Sequence, residues 1–151
     1  MNSRGKLTEL IKGASMFRAG QVNAPSIYYN GSPFTSASGN GVDTLGYDDA
    51  VLVVDVGSFV GPLATINHTL LESDTDDVTQ ATAISSATFT VTPSNQNTRY
   101  EAAVHTRDHK RYLFLKQDFQ GVSNLFTVQY QADITLATNN QPPAKTLQFD
   151  L

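Results

Sequence analysis

From Phe126 to Leu136 the chain alternates without a break. Phe126, Val128, Tyr130, Ala132, Ile134 and Leu136 are apolar or aromatic, and Thr127, Gln129, Gln131, Asp133 and Thr135 lie between them. A period of two over that length fits a strand with one face on a core and the other in water, and it does not fit a helix. Other segments read the same way. Ser26–Tyr29 is a short strand between turn signals at Pro25 and Asn30-Gly31. Ala50–Val56 is a nearly continuous apolar run, which predicts a strand covered on both faces. Leu63–Leu71 places Ala64, Ile66, His68 and Leu70 on one side, and Ala87–Thr92 is Thr-rich. Tyr100–Thr106 and Arg111–Lys116 flank a polar turn and predict a β-hairpin. Leu147 and Phe149 alternate with Gln148 and Asp150 after a loop over 138–145 that holds Pro142-Pro143.

The expected fold is therefore all-β, an antiparallel β-sandwich or jelly-roll-like barrel of about seven or eight strands. The one helix signal is at the start, where Leu7, Leu10, Ile11 and Ala14 fall at helical spacing. The expected organisation is an N-terminal arm, residues 1–41, carrying a short helix, followed by a β-sandwich domain, residues 42–151.

Composition narrows the function. There is no Cys among 151 residues, so disulfides, thiolate metal sites and a Cys nucleophile are excluded. Charged residues are only 16%, while Ser, Thr, Asn and Gln make up roughly a third. The net charge of -4 argues against nucleic-acid binding. No apolar stretch approaches a membrane span, and the basic start lacks the apolar segment of a secretory signal. The expectation is a cytoplasmically made protein with no membrane and no nucleic-acid partner. Charge is uneven: Ala19 to Thr98 has no Lys or Arg and eight acids, hence -8, and the remainder is +4. Two such fields can orient a protein on a partner; solvated acidic loops are the plainer alternative.

Reactive constellations are sparse. Asp74, Asp76 and Asp77, with Glu72 and Asp43, offer carboxylate oxygens, but the 12-residue calcium loop with its Gly and terminal Glu is missing. No metal and no cofactor is expected, and a solvated loop is the ordinary state of those acids. His68, His105 and His109 show no zinc-ligand spacing. Gly57-Ser58-Phe59-Val60-Gly61 has the glycines of a nucleophile turn without its spacing. No enzyme is expected. Arg107, Lys110 and Arg111, followed by Tyr112, form one basic cluster suited to a protein contact, since Arg and Tyr are favoured anchors. Tyr28, Tyr29 and Tyr47 are candidates for stacking on sugars.

Several segments are familiar together: Asp43-Thr44-Leu45-Gly46-Tyr47-Asp48 before the apolar run, Leu70-Leu71-Glu72-Ser73-Asp74 ending a strand, and Lys110-Arg111-Tyr112-Leu113 opening a later one. This order resembles the capsid decoration, cement or head-stabilising proteins of tailed bacteriophages. The resemblance covers roughly residues 41–136. It implies a non-enzymatic β-rich module on the outer surface of a phage capsid, bound to the major capsid protein and to sister subunits as a homotrimer or homodimer. The expected contact residues are Leu7, Leu10, Ile11, Arg107, Lys110, Arg111 and Tyr112. The alternatives are another virion component (neck, tail or fibre base) and a carbohydrate-binding β-sandwich.

Overall fold

The computed structural model describes residues 11–60, 65–92, 97–121 and 126–138, with backbone alone at 85 and 86. Nine strands lie among them. They are β1 (Ile11–Val22), β2 (Ser26–Tyr29), β3 (Val42–Asp43), β4 (Asp49–Val60), β5 (Thr65–Ser73), β6 (Thr82–Val91), β7 (Thr98–His105), β8 (Tyr112–Gln120) and β9 (Thr127–Ala137). One helical turn, α1 (Phe34–Ala37), follows β2, and 3₁₀ turns occupy Val78–Gln80 and Thr106–Asp108. No helix among the described residues is long and apolar enough to cross a membrane.

Pairing is antiparallel throughout and nested. β1 pairs β9, β2 and β3 pair β8, β4 pairs β7, and β5 pairs β6. The chain is thus one long antiparallel ribbon. Rolling it up joins β4 to β9 and β5 to β8. One sheet then has the order β1-β9-β4-β7 and the other β2-β8-β5-β6, with β3 beside β2 on β8. This is the jelly-roll form of the sandwich.

The core lies between the sheets. β9 supplies Val128, Tyr130, Ala132, Ile134 and Leu136, all buried, as its alternation predicts. From β4 come Ala50, Leu52, Val54 and Val56, while Val51 is 42% exposed. The run is therefore covered on one face only; its outward valines hide the alternation. Opposite stand Ile66, His68 and Leu70 of β5 and Leu113, Leu115 and Phe119 of β8. A second apolar cluster caps the outer face of the β8 sheet, where Phe114, Ala37 and Val78 are buried against Tyr29, Leu71 and Tyr112.

Two local expectations are corrected. Ile11 and Ala14 lie in a strand rather than a helix; Leu7 and Leu10 fall outside the described residues. Ile11–Val22 is held along its length by β9, and Met16 is fully buried, so sheet pairing overrides helical spacing. Both β1 and β2 fall within residues 1–41 and are paired into the two sheets. The second correction is the hairpin. β7 and β8 are consecutive but belong to opposite sheets, and the turn at Thr106–Asp108 carries the chain across the sandwich edge. Each strand turns one apolar row inward, so local alternation cannot distinguish this corner from a hairpin.

Gly41 shows how tightly the outer cluster is built. A Cβ there would lie 2.7 Å from Asp76 Oδ1 and 2.8 Å from Phe114 Cζ, and Gly41 N–H donates to that same carboxylate at 2.8 Å. Gly41→Ala is expected to cost about 1–3 kcal/mol by overpacking. A thermal melt unchanged from the parent would show that Phe114 can move aside.

Candidate interaction surface

The register of the first sheet lines up Ile11, Ala137, Asp49 and His105 at one end of the sandwich. Beyond this row the chain makes two turns that lock together. Thr44–Tyr47 closes by Tyr47 N–H donating to the Thr44 carbonyl at 3.0 Å. Gly46 takes φ +89°, the left-handed value that a type II turn requires at its third residue. Thr106 then bonds this turn through its hydroxyl to the Tyr47 carbonyl and through its N–H to the Asp48 carbonyl. Thr44 donates both N–H and hydroxyl to the Arg111 carbonyl, at 2.9 and 2.7 Å. Both threonines are buried. Their hydroxyls satisfy backbone acceptors that the strand ends leave open.

On this scaffold stand several exposed groups. Leu45 tips the turn at 66% exposure, and Ile11 at the start of β1 is 52% exposed. Arg107 is exposed on the 3₁₀ turn. Arg111 is held by Asp43 through Nε and Nη2, each at 2.8 Å, and its guanidinium lies 5.0 Å over the Tyr112 ring. The Arg111 hydrogen bonds hold the Asp43 carboxyl down at about 2, and Asp43 in turn raises the guanidinium. Lys110 Nζ is 3.9 Å from Asp74. His109 Nδ1 lies 2.8 Å from Glu72 Oε2, which also accepts the Lys110 N–H at 3.1 Å. Of the expected contact residues, the structure thus gathers Ile11, Arg107, Lys110, Arg111 and Tyr112 at one end of the molecule. Leu45 is the residue that the sequence reading missed; a Leu before Gly in a tight turn was its signal.

In the structure the acids of the 19–98 span and the bases beyond it lie side by side. Three ion pairs and two histidine–carboxylate contacts join an acid of the 19–98 span to a base beyond it: Asp55–Arg99, Asp74–Lys110 and Asp43–Arg111, with Asp49–His105 and Glu72–His109. The nested ribbon causes this, because it lays β3, β4 and β5 beside β7 and β8. Pairs open to solvent add little to stability, so these contacts shape the surface chemistry more than they hold the fold.

The other candidates are occupied by structural contacts. Asp76 accepts from Gly41 N–H, and Asp77 accepts from Thr79 and Ser38, which lowers its carboxyl. No group of three or more metal-ligating side chains occurs among the described residues. Tyr28 packs edge-on against Phe17 and Phe119, Tyr29 against Phe34, and Tyr47 against the core, all half-buried. His68 is buried between Phe89 and Tyr130: its ring stacks 4.2 Å from Phe89, and Nε2 lies 2.7 Å from the Tyr130 hydroxyl. Its Nδ1 has no full hydrogen bond among the described residues.

Neither a protein-family model nor a curated protein matches the sequence. Among solved structures, the chain is similar to VP2 of infectious bursal disease virus in a subviral particle. Identity is 9%, the match covers 85% of this chain and 32% of VP2, and the TM-score is 0.50. The chain therefore spans about a third of the length of that protein. It is also matched by a Bacillus endospore appendage protein described as a disulfide-linked pilus, at 13% identity, 85% and 89% coverage and a TM-score of 0.42. The likeness to VP2 is one of fold: a two-sheet β-sandwich.

Proposed function

We propose that this chain is a non-enzymatic structural protein of a virus particle, and that it binds the outer surface of a bacteriophage capsid and stabilises it. Its partners are the major capsid protein and sister subunits, as a homotrimer or homodimer. The observation that carries this reading is the rigid end of the sandwich. There Leu45 and Ile11 stand exposed beside Arg107, Lys110 and Arg111, on turns fixed by buried threonines. Apolar anchors ringed by Arg and Lys on a preorganised scaffold suit a protein interface. Jelly rolls recur in viral capsid and lectin domains, and VP2 in its subviral particle has a similar fold. Tyr28, Tyr29 and Tyr47 are half-buried and packed against neighbouring side chains, so the capsid reading is preferred to the carbohydrate one. The resemblance to decoration proteins supplies the host context: synthesis in a bacterial cytoplasm and residence on the virion.

Arg107 gives the clean test, because it has no ion pair among the described residues. Arg107→Glu is expected to lower co-sedimentation with isolated capsids by about tenfold at low salt, and by less at about 0.5 M salt, where exposed charges are screened. Unchanged binding at both salts would remove this end from the interface. Leu7 and Leu10 are tested by removing residues 1–10. A longer deletion to residue 20 would destroy β1 and its buried Met16.

A further inference from the structure

The outer face of the second sheet carries a platform away from the end that bears Leu45 and Arg107. Two rows of side chains cross it in register. One runs Ile27–Asp118–Asn67–Thr90 and the next Tyr29–Lys116–Thr69–Thr88, over β2, β8, β5 and β6. They face outward because Tyr28, Gln117, His68 and Phe89, which alternate with them, point into the core. The β2 side of the platform is apolar. Ile27 is 45% exposed, Phe34 is 49% exposed, and Tyr29 packs edge-on against Phe34 with 5.5 Å between ring centroids. The β5–β6 side is polar and uncharged, and Thr90 donates its hydroxyl to Asn67 Oδ1 at 2.7 Å. The charged residues of the two rows are Lys116 and Asp118, opposite in sign and two positions apart on β8. Gln120 Nε2 donates to the Asp118 carboxylate at 2.9 Å, and neither charge has an ion pair among the described residues.

We propose that this platform binds a second copy of the chain, face to face, in a two-fold dimer. Its self-complementarity carries this. A two-fold contact brings residue i against j and j against i. With the axis laid across the strands at the level of Gln117, each row comes to face the other row of the partner, strand for strand. Tyr29 then meets the partner's Ile27, Lys116 the partner's Asp118, Thr69 the partner's Asn67 and Thr88 the partner's Thr90, and every contact occurs twice. Apolar meets apolar, positive meets negative, and neutral polar meets neutral polar. An axis along β8 would instead set Lys116 on the partner's Lys116 and Asp118 on the partner's Asp118, so charge selects the first arrangement. Sheets packed face to face stand about 10 Å apart, a gap that a Lys and an Asp side chain close between them. An aromatic and aliphatic anchor with few charges is also the composition of an interface centre. The platform is small beside a standard interface of about 800 Å² per partner, so pairing is weak in dilute solution and gains where copies are held close together. This pairing rests on the sister-subunit part of the proposed function and not on its capsid-binding part.

Charge swaps in the full chain test it, read by sedimentation equilibrium at low salt from micromolar to millimolar protein. The parent is expected to pass from monomer to dimer over that range. Lys116→Asp sets like charges against the partner's Asp118, and Asp118→Lys sets like charges against the partner's Lys116. Each single swap is expected to weaken dimerisation by about tenfold or more, and the double swap Lys116→Asp/Asp118→Lys to restore it to within about threefold of the parent. That recovery separates a lost contact from a misfolded chain. Ile27→Ser is expected to weaken pairing by about tenfold at both low and high salt, because its contact is apolar. A parent that stays monomeric or forms a trimer would overturn the proposal. Single swaps that associate like the parent, or a double swap no better than the singles, would overturn it too. Arg107→Glu, on the other surface, should dimerise like the parent, and its failure to do so would also count against this face; loss of capsid binding and loss of pairing are thus read separately.

Discussion

Replacing Tyr130 with Ala is expected to destabilise the domain by about 3–5 kcal/mol, among the largest costs of any single truncation in this core. Tyr130 sits at the centre of β9 and is 2% exposed. Its ring centroid lies 4.9 Å from Phe17, 5.1 Å from Phe119 and 5.7 Å from His68. Those contacts join β1, β8 and β5 through one residue. The hydroxyl matters separately. It meets His68 Nε2 at 2.7 Å. Tyr130→Phe keeps the ring and leaves the buried His68 Nε2 without this partner, so about 1–3 kcal/mol of the loss should appear in that variant alone. Urea denaturation at neutral pH measures both. A loss under about 1 kcal/mol for the Ala variant would mean the core collapses around the gap.

Acid should weaken the fold through His68 in a definite window. Burial pushes its pKa down from 6.5 to about 4, against a smaller opposing effect of the Phe89 and Ile66 backbone. The unfolded chain takes up this proton as pH falls below about 6.5, while the folded protein stays neutral there until about 4. Stability is therefore full above 6.5, declines from 6.5 to 4, and levels below. The loss amounts to roughly 3 kcal/mol if the whole shift is expressed. His68→Leu removes the titration, so the difference between parent and variant isolates it. Asp43 acts lower: its carboxyl is held near 2 rather than 3.8, so its contribution is present above 3.8 and disappears toward 2. Because the pair is open to solvent, that contribution is small beside the one from His68. Parallel stability curves for parent and variant from pH 7 to 4 would contradict the assignment to His68.

Strand identity was legible wherever only one face of a strand is apolar. β9 is the clear case, and Ser26–Tyr29 was read at its true limits because turn residues bound it. β4 was misread as two-faced because Val51 and Val53 point outward. β1 was missed for a physical reason. Its pairing shifts register between Ser15 and Phe17 and again between Phe17 and Gly20, which erases the period of two. Leu7, Leu10, Ile11 and Ala14 then match a helix by spacing alone. The surface was legible residue by residue and not as a place. Ile11 and Arg107 meet at one end only because β9 pairs with both β1 and β4. The ion pairs join residues 36 to 68 positions apart, a pairing that only the rolled ribbon supplies.

Imaging of the purified native particle tests the central claim most directly. The account predicts density for this chain on the outside of the head, at a regular stoichiometry to the major capsid protein, with the end bearing Ile11, Leu45 and Arg107 against the shell. Density confined to the neck or tail, or purified particles lacking the chain, would contradict it.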